Sequence, residues 1–171
     1  MSTVHVADTG LFVAMGRPSN LRHRAIRTFA LRHEITFVLP EDVYSELTIG
    51  DSSVETPPID EAIQEGWAAI ADPLAFDNPF VSRTMDAVRR YIAHADGRPE
   101  DEIEQADATL AGVIAQAFTE DGAGRAYVYT TDIAAGQGIE VAFDSEGYGD
   151  AVTFVNAFRL ITDLLEGRYT P

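Results

Sequence analysis

Short runs of apolar and β-branched residues, alternating with longer helical patterns, constrain the fold of this chain most strongly. The clearest runs cover residues 3–7, 35–39 and 126–130, with weaker candidates at 68–71 and 140–143. Apolar side chains recur at helical spacing over residues 20–33, 40–49, 80–95, 99–119 and 151–165, and a short helix is expected near 60–65. Strands that alternate with helices predict an α/β fold in which the helices pack around a mostly parallel sheet.

The length and composition suit one globular domain that spans residues 1–171. The chain has 171 residues, of which 46% are hydrophobic, and this is enough for a substantial core. Residues 51–75 are expected to form a polar excursion, and residues 150–166 an additional C-terminal helix. The absence of cysteine excludes disulfides, zinc ribbons and thiol catalysis. The sequence shows neither a secretion signal nor an apolar run of transmembrane length, so we expect a cytoplasmic protein with no membrane partner.

The charge of the chain is extreme. Its formal net charge is −16, and all 12 basic residues are arginine. A lysine-free, strongly acidic chain is typical of an extreme halophile, because surface carboxylates keep a protein hydrated in concentrated salt. Most of the 28 acids are therefore expected to be surface background, and a functional acid must be recognised by its position in the fold.

Four acids have such positions. Asp8 follows the first predicted strand and Asp132 follows the strand at 126–130, so both are expected beyond the carboxyl ends of strands, where α/β sheets place their sites. Asp107 lies within a helix among small and apolar residues, where Asp is a poor helix former. Glu46 lies about two turns into the helix at 40–49. Structural alternatives remain open, with Asp8 and Asp132 as helix caps and Glu46 on a solvated helix face.

Carboxylates brought together must take up protons or share a cation. Oxygen ligands without cysteine favour Mg²⁺ or Mn²⁺ over zinc. Such ions can bind a phosphate group and lower the pKa of a water molecule, so the pattern indicates metal-dependent hydrolysis of a phosphodiester. Glu104 shares the helix face of Asp107 and is a candidate supporting acid.

Several short motifs occur in the order and with the spacing of a known family. They are Asp-Thr-Gly at 8–10, the helical Glu46, Asp-Ala-Thr-Leu-Ala-Gly-Val-Ile at 107–114 and Thr-Thr-Asp at 130–132. Together these motifs resemble the PIN-domain family, over most of residues 3–143. The resemblance implies a three-layer α/β/α sandwich and an endoribonuclease that depends on Mg²⁺ or Mn²⁺. It also implies that Asp8, Glu46, Asp107 and Asp132 are catalytic metal ligands, and that the Thr130 hydroxyl supports them.

The resemblance further implies an RNA substrate. Many members of the family are VapC-like toxins, so an antitoxin is a further candidate partner, while other members process RNA. A homodimer is also considered, with the last helix as its surface. The alternative to an enzyme is a catalytically inactive PIN-like module that binds RNA or protein.

The N-terminal segment differs in charge from the rest of the chain. Residues 1–33 contain five arginines but only one acid, Asp8. Arg17, Arg24 and Arg27 are therefore candidate RNA-binding residues that would contact phosphates. The same arginines could instead pair with acids of the protein, and the sequence leaves both interpretations open.

Overall fold

A five-stranded sheet forms the centre of the protein in the computed structural model, which describes residues 1–49, 56–103 and 105–169. Within these ranges the strands are β1 (Ser2–Ala7), β2 (Phe37–Leu39), β3 (Ala68–Ile70), β4 (Ala123–Thr130) and β5 (Val152–Asn156). The α-helices are α1 (Thr9–Met15), α2 (Leu21–Arg32), α3 (Glu41–Thr48), α4 (Pro58–Glu65), α5 (Pro79–Asp96), α6 (Gln105–Glu120), α7 (Ile133–Ser145) and α8 (Ala157–Leu165).

The sheet has the order β3-β2-β1-β4-β5, and every pair of neighbouring strands is parallel. The prediction of a mostly parallel sheet is thus confirmed. Because the strands are parallel, their carboxyl ends share one edge of the sheet, which we call the carboxyl edge. The central strand β1 lies beside β4, with Ala7 in register with Tyr129. Residues that follow these two strands are therefore direct neighbours.

Helices cover both faces of the sheet, as expected for a three-layer sandwich. On one face, residues of α1, α2, α3, α4 and α8 form a core cluster around Phe37 and Trp67. On the other face, residues of α5, α6 and α7 form a second cluster around Val6 and Val128. The buried side chains of β1 thus alternate between the two clusters, with Val6 in one and Ala7 in the other.

The prediction of a strand at 140–143 is wrong, because these residues belong to the helix α7. The Asp132 side chain caps this helix at its start. Gly136 and Gly138 allow the helix to pack closely, since a Cβ at Gly136 would lie 2.3 Å from the Phe154 ring on β5. Glycine is a poor helix former, so the tertiary packing overrides the local signal here.

The prediction of one helix over 151–165 is also wrong in its first part. Residues Val152–Asn156 form the edge strand β5, and only Ala157–Leu165 are helical. The run Val152-Thr153-Phe154-Val155 is rich in β-branched and aromatic side chains, which favour a strand. Asn156 then caps α8, accepting a hydrogen bond from the Arg159 N–H at 3.2 Å.

The predicted excursion at 51–75 lies partly outside the described residues, which resume at residue 56. From there on it is less peripheral than expected. Ile59 and Ala62 of α4 are buried, as is Trp67 immediately before β3, and β3 extends the sheet beyond β2. No helix in the described ranges combines the length and apolar character needed to cross a bilayer.

Candidate active site at the carboxyl edge

Asp8 lies where β1 ends and α1 begins. Its backbone N–H donates to the Tyr129 carbonyl on β4 at 3.0 Å, which fixes it beside the neighbouring strand. Its side chain caps α1, with Oδ1 accepting from the Thr9 N–H at 2.8 Å. The capping role considered from the sequence is therefore present. It leaves the second carboxylate oxygen for a different contact.

Thr130 makes that contact and links Asp8 to Asp132. It is the last residue of β4, and its side chain is fully buried. The hydroxyl donates to Asp8 Oδ2 at 3.0 Å and accepts from the Asp132 N–H at 3.0 Å. One buried hydroxyl thus fixes the carboxylate after β1 relative to the backbone after β4.

Asp132 is exposed and begins α7. Its Oδ1 accepts from the Ala135 N–H at 3.1 Å, so it also caps a helix. A carboxylate has about four lone-pair positions, and a single cap bond occupies one of them. A capping role and a ligand role are therefore compatible for both Asp8 and Asp132.

Glu46 reaches the same edge from α3. It is exposed, but its Oε2 accepts from the Thr9 hydroxyl at 2.6 Å, a short bond typical of a charged acceptor. Thr9 therefore holds Asp8 through its backbone and Glu46 through its side chain. The sequence analysis did not identify Thr9 as a site residue, although it lies within the Asp-Thr-Gly motif.

The electrostatics of Asp8 reflect its burial and the two acids beside it. Burial raises the pKa of the Asp8 carboxyl above its usual value, and the Thr9 N–H and the Thr130 hydroxyl oppose this by donating hydrogen bonds to the charged form. The negative charges of Glu46 and Asp132 raise the pKa further. Asp8 is therefore a partly buried carboxylate that would gain from a nearby cation.

Asp107 reaches the carboxyl edge from the other face of the sheet. It is half-buried in the first turn of α6, and a helix that leads into a parallel strand begins at this edge. Leu110 and Ile114 follow it by 3 and 7 residues, on the same side of the helix. Both are fully buried in the cluster that contains Val6 and Val128, so this side of α6 faces the sheet. The predicted supporting acid Glu104 lies outside the described residues.

Gly10 permits the close contact between the Asp-Thr-Gly turn and the end of β4. A Cβ at this position would lie 2.2 Å from the Thr131 hydroxyl oxygen and 3.2 Å from the Thr131 backbone nitrogen. A side chain at this position would have to displace the Thr131 side chain and would press against its backbone, which lies between Thr130 and Asp132. Gly10 is thus a second residue of the motif whose role the sequence analysis did not recognise.

A family model described as Halobacterial PIN domain matches residues 1–168. The chain belongs to the PIN-domain family. PIN domains are generally nucleases and generally use divalent metals, and the match also supports the halophilic origin inferred from the charge. A search of curated proteins found no match to this chain.

The donor chemistry of this PIN domain fits Mg²⁺ or Mn²⁺. All four acids present carboxylate oxygens, the ligands that these hard cations prefer. Among the residues that the structure describes, however, no three side chains of His, Cys, Asp or Glu are grouped closely enough to hold one ion. Mg²⁺ usually keeps several water molecules and binds through only one or two carboxylates, so a spread set of acids remains compatible with it.

The arginines of the N-terminal segment divide into two groups. Arg27 of α2 forms an ion pair with Glu65 of α4, so the pairing interpretation holds for this residue. Arg17 and Arg24 are exposed and make no ion pair with any residue in the described ranges. Of the three candidate RNA-binding residues, these two are available to an anionic ligand.

Proposed function

We propose that this PIN domain is a metal-dependent endoribonuclease that hydrolyses RNA phosphodiester bonds. The observation that carries the proposal is the position of Asp8. It is partly buried at the end of the central strand and held by Thr9 and Thr130, close enough to Glu46 and Asp132 for their charges to raise its pKa. A partly buried carboxylate with a perturbed pKa, influenced by two further acids at the carboxyl edge of a parallel sheet, is typical of an active site.

Each side chain has a distinct part in the proposal. Asp8 and Asp132 would be the principal metal ligands, since they follow adjacent strands and Thr130 links the Asp8 carboxylate to the Asp132 backbone. Glu46 and Asp107 complete the acidic edge from the two faces of the sheet, binding directly or through water. A bound Mg²⁺ or Mn²⁺ would neutralise charge on the scissile phosphate and lower the pKa of the attacking water.

RNA is the proposed substrate because the family resemblance implies it and because the exposed arginines could contact its phosphates. Arg24 belongs to α2 and Arg17 follows α1, and both helices pack on the same face of the sheet. Concentrated salt weakens purely electrostatic binding of nucleic acids. Contacts to the bases are therefore expected to contribute to RNA binding as well.

RNA cleavage by matched variants tests this proposal. We expect wild-type protein to cleave single-stranded RNA with Mn²⁺, and expect Asp8→Asn and Asp132→Asn to lose this activity while remaining folded. Asp150→Asn is a matched control, because Asp150 is exposed and precedes β5 at the opposite edge of the sheet. Undiminished cleavage by both site variants, in a preparation free of other nucleases, would refute the assignment.

The second candidate is a PIN-like module that binds RNA or protein without turnover. The specific observation in its favour is that Glu46 accepts a hydrogen bond from Thr9 rather than joining a tight three-acid group among the described residues. Mn²⁺ separates the two candidates. An enzyme should gain thermal stability on binding the cation, whereas a module with an inactivated site should gain none.

Within the enzyme class, a toxin and an RNA-processing nuclease differ in their effect on a cell. A toxin should arrest growth when it is expressed, and co-expression of an antitoxin encoded beside it should relieve the arrest. A processing nuclease should leave growth unaffected and change the ends of particular RNAs. The Asp8→Asn variant is the control in both experiments.

A further inference from the structure

A cavity lies beside the acidic residues of the carboxyl edge, and we call it the side cavity. It has a volume of about 320 Å³ and lies between the residues that follow β2, the residues that follow β3 and the start of α6. Pro40, Asp42, Ala71 and Gln105 are among its lining residues. Its volume is within the range of small-molecule sites. None of the four proposed catalytic acids lines it.

The side cavity adjoins the proposed active site through two helices. Asp42 lines the cavity and precedes Glu46 by 4 residues on α3, so the two acids lie one turn apart on one helix face. On α6, Gln105 and Thr109 line the cavity and flank Asp107 in sequence, which places the cavity and Asp107 on opposite sides of the same helical turns. A helix is roughly 10–12 Å across with its side chains. A nucleotide in the cavity would therefore lie within about one helix diameter of a nucleotide bound at the acids.

The wall of the cavity is apolar and fixed in place. It includes Leu74, Val113 and Phe76, and the Phe76 side chain is 62% exposed. The loop that carries Phe76 is anchored by the buried Gln116, which accepts from the Ala75 N–H at 2.7 Å and donates to the Pro73 carbonyl at 3.0 Å.

The backbone of Phe76 is held as well, because its carbonyl accepts from the Ser82 hydroxyl at 3.0 Å. The exposure of this aromatic ring is thus a property of an ordered loop. An aromatic side chain presented in this way is a stacking surface for a flat ligand.

The rim of the cavity carries acceptors of hydrogen bonds. Glu41, Asp42 and Asp72 are exposed carboxylates at the rim, and they would repel a phosphate group. Carboxylates accept from N–H donors, which nucleobases present on their edges. A ligand that fits is therefore flat, uncharged and rich in N–H groups.

We propose that the side cavity binds one nucleobase of the RNA, next to the cleaved phosphodiester, with guanine preferred over uracil. The inference rests on the proposed function. The base stacks on Phe76, and an N1–H and an exocyclic amino group of guanine donate to a rim carboxylate. Uracil presents a single N–H, so it satisfies the rim less well. The acidic rim would repel the phosphates, and so sets the direction in which the base points.

Mapping of cleavage positions tests the proposal. Wild-type protein is given a single-stranded RNA of mixed sequence with Mn²⁺, and the base frequencies around each cut are counted. We expect guanine to be enriched over uracil at one position beside the cut. Phe76→Ala should reduce cleavage at those sites about tenfold, the range expected for loss of one stacked base, and should flatten the preference. Asp72→Asn should reduce the preference for guanine over uracil at that position, because it removes one charged acceptor from the rim.

Phe158→Ala is the matched control. Phe158 lies on α8, away from the side cavity, and is 60% exposed, which is almost the same exposure as that of Phe76. It should leave both the rate and the preference unchanged. Cleavage by Phe76→Ala with the wild-type profile would overturn the inference and leave the proposed nuclease function intact.

Binding without metal separates failure of the inference from failure of the proposed function. Fluorescence anisotropy measures, in the presence of a chelator, how tightly the protein binds two labelled RNAs of equal length. One RNA contains guanines and the other consists of uridines. We expect tighter binding of the guanine-containing RNA, lost in Phe76→Ala and kept in Phe158→Ala. Selective binding of the guanine-containing RNA without any cleavage would refute the proposed nuclease function but support the base site. Equal binding of both RNAs by every variant would refute the base site.

Discussion

Replacement of Thr130 by Val probes the link between Asp8 and Asp132. Val has nearly the shape of Thr, so it leaves no cavity at this fully buried position, but it removes the hydroxyl. Two hydrogen bonds are lost, one donated to the Asp8 carboxylate and one accepted from the Asp132 N–H, both at 3.0 Å. A bond to a charged group contributes about 1.5–3 kcal/mol and a neutral one about 0.5–1.5 kcal/mol.

We therefore expect Thr130→Val to lower the free energy of unfolding by about 2–4 kcal/mol. For a chain of this size, each kcal/mol lowers the Tm by roughly 2–4 °C, so a fall of about 5–15 °C is expected in a thermal melt. The Thr130 hydroxyl also lowers the Asp8 pKa. Its loss should raise that pKa further, so that protons compete more strongly with Mn²⁺ and the stabilisation by Mn²⁺ falls, most of all at low pH.

Thr130→Ser is the control, because it keeps the hydroxyl and loses only a methyl group, at a cost of about 1 kcal/mol. It should retain most of the response to Mn²⁺. If Thr130→Val were as stable as Thr130→Ser and responded equally to Mn²⁺, the hydroxyl would not hold the site together, and the reasoning would be refuted.

Three further changes have defined outcomes. Gly10→Ala should disrupt the site by collision with Thr131, and adding Thr131→Ala to that variant should partly restore the Tm and the cleavage activity. A fully active Gly10→Ala variant would contradict this. Burial lowers the pKa of His23, so the unfolded chain takes up a proton at a higher pH than the folded protein does. The free energy of unfolding should therefore fall as the pH drops from about 7 to 5.5, and denaturant titrations should show a smaller fall in His23→Phe. Arg24→Ala should weaken RNA binding and reduce the salt slope of log Kobs by about 1, as expected for one lost phosphate contact; an unchanged slope would exclude Arg24 from the RNA interface.

The sequence predicts those parts of the site that depend on strand ends. Asp8 and Asp132 follow apolar runs, and parallel strands bring their carboxyl ends to one edge. Asp107 stands out in the sequence as an Asp among small and apolar helix residues, but the structure places it in the first turn of α6, where an acid is favourable. The order of the main elements and the spacing of their apolar residues are sufficient to predict the fold class, because the apolar residues are the ones that the fold buries.

The remaining features depend on tertiary contacts that leave little local signal. Glu46 resembles any other exposed acid in an acidic chain, and its bond to Thr9 and its effect on the Asp8 pKa distinguish it only in the folded structure. The helix α7 contains two buried glycines that fit against β5 and α5, and its apolar run resembled a strand. The strand β5 and the helix α8 form one continuous apolar pattern in the sequence, which predicts a single helix. Only Asn156, the last residue of β5 and the cap of α8, separates the two.

The position of a bound cation tests whether the acids of the carboxyl edge form a metal centre. A crystal grown or soaked with Mn²⁺ can be measured at a wavelength where manganese scatters anomalously. We expect a peak at the carboxyl edge, in contact with a carboxylate oxygen of Asp8 or Asp132, that disappears in Asp8→Asn. Manganese bound only elsewhere, or an edge without manganese in protein that cleaves RNA, would contradict the claim that these acids form the metal centre.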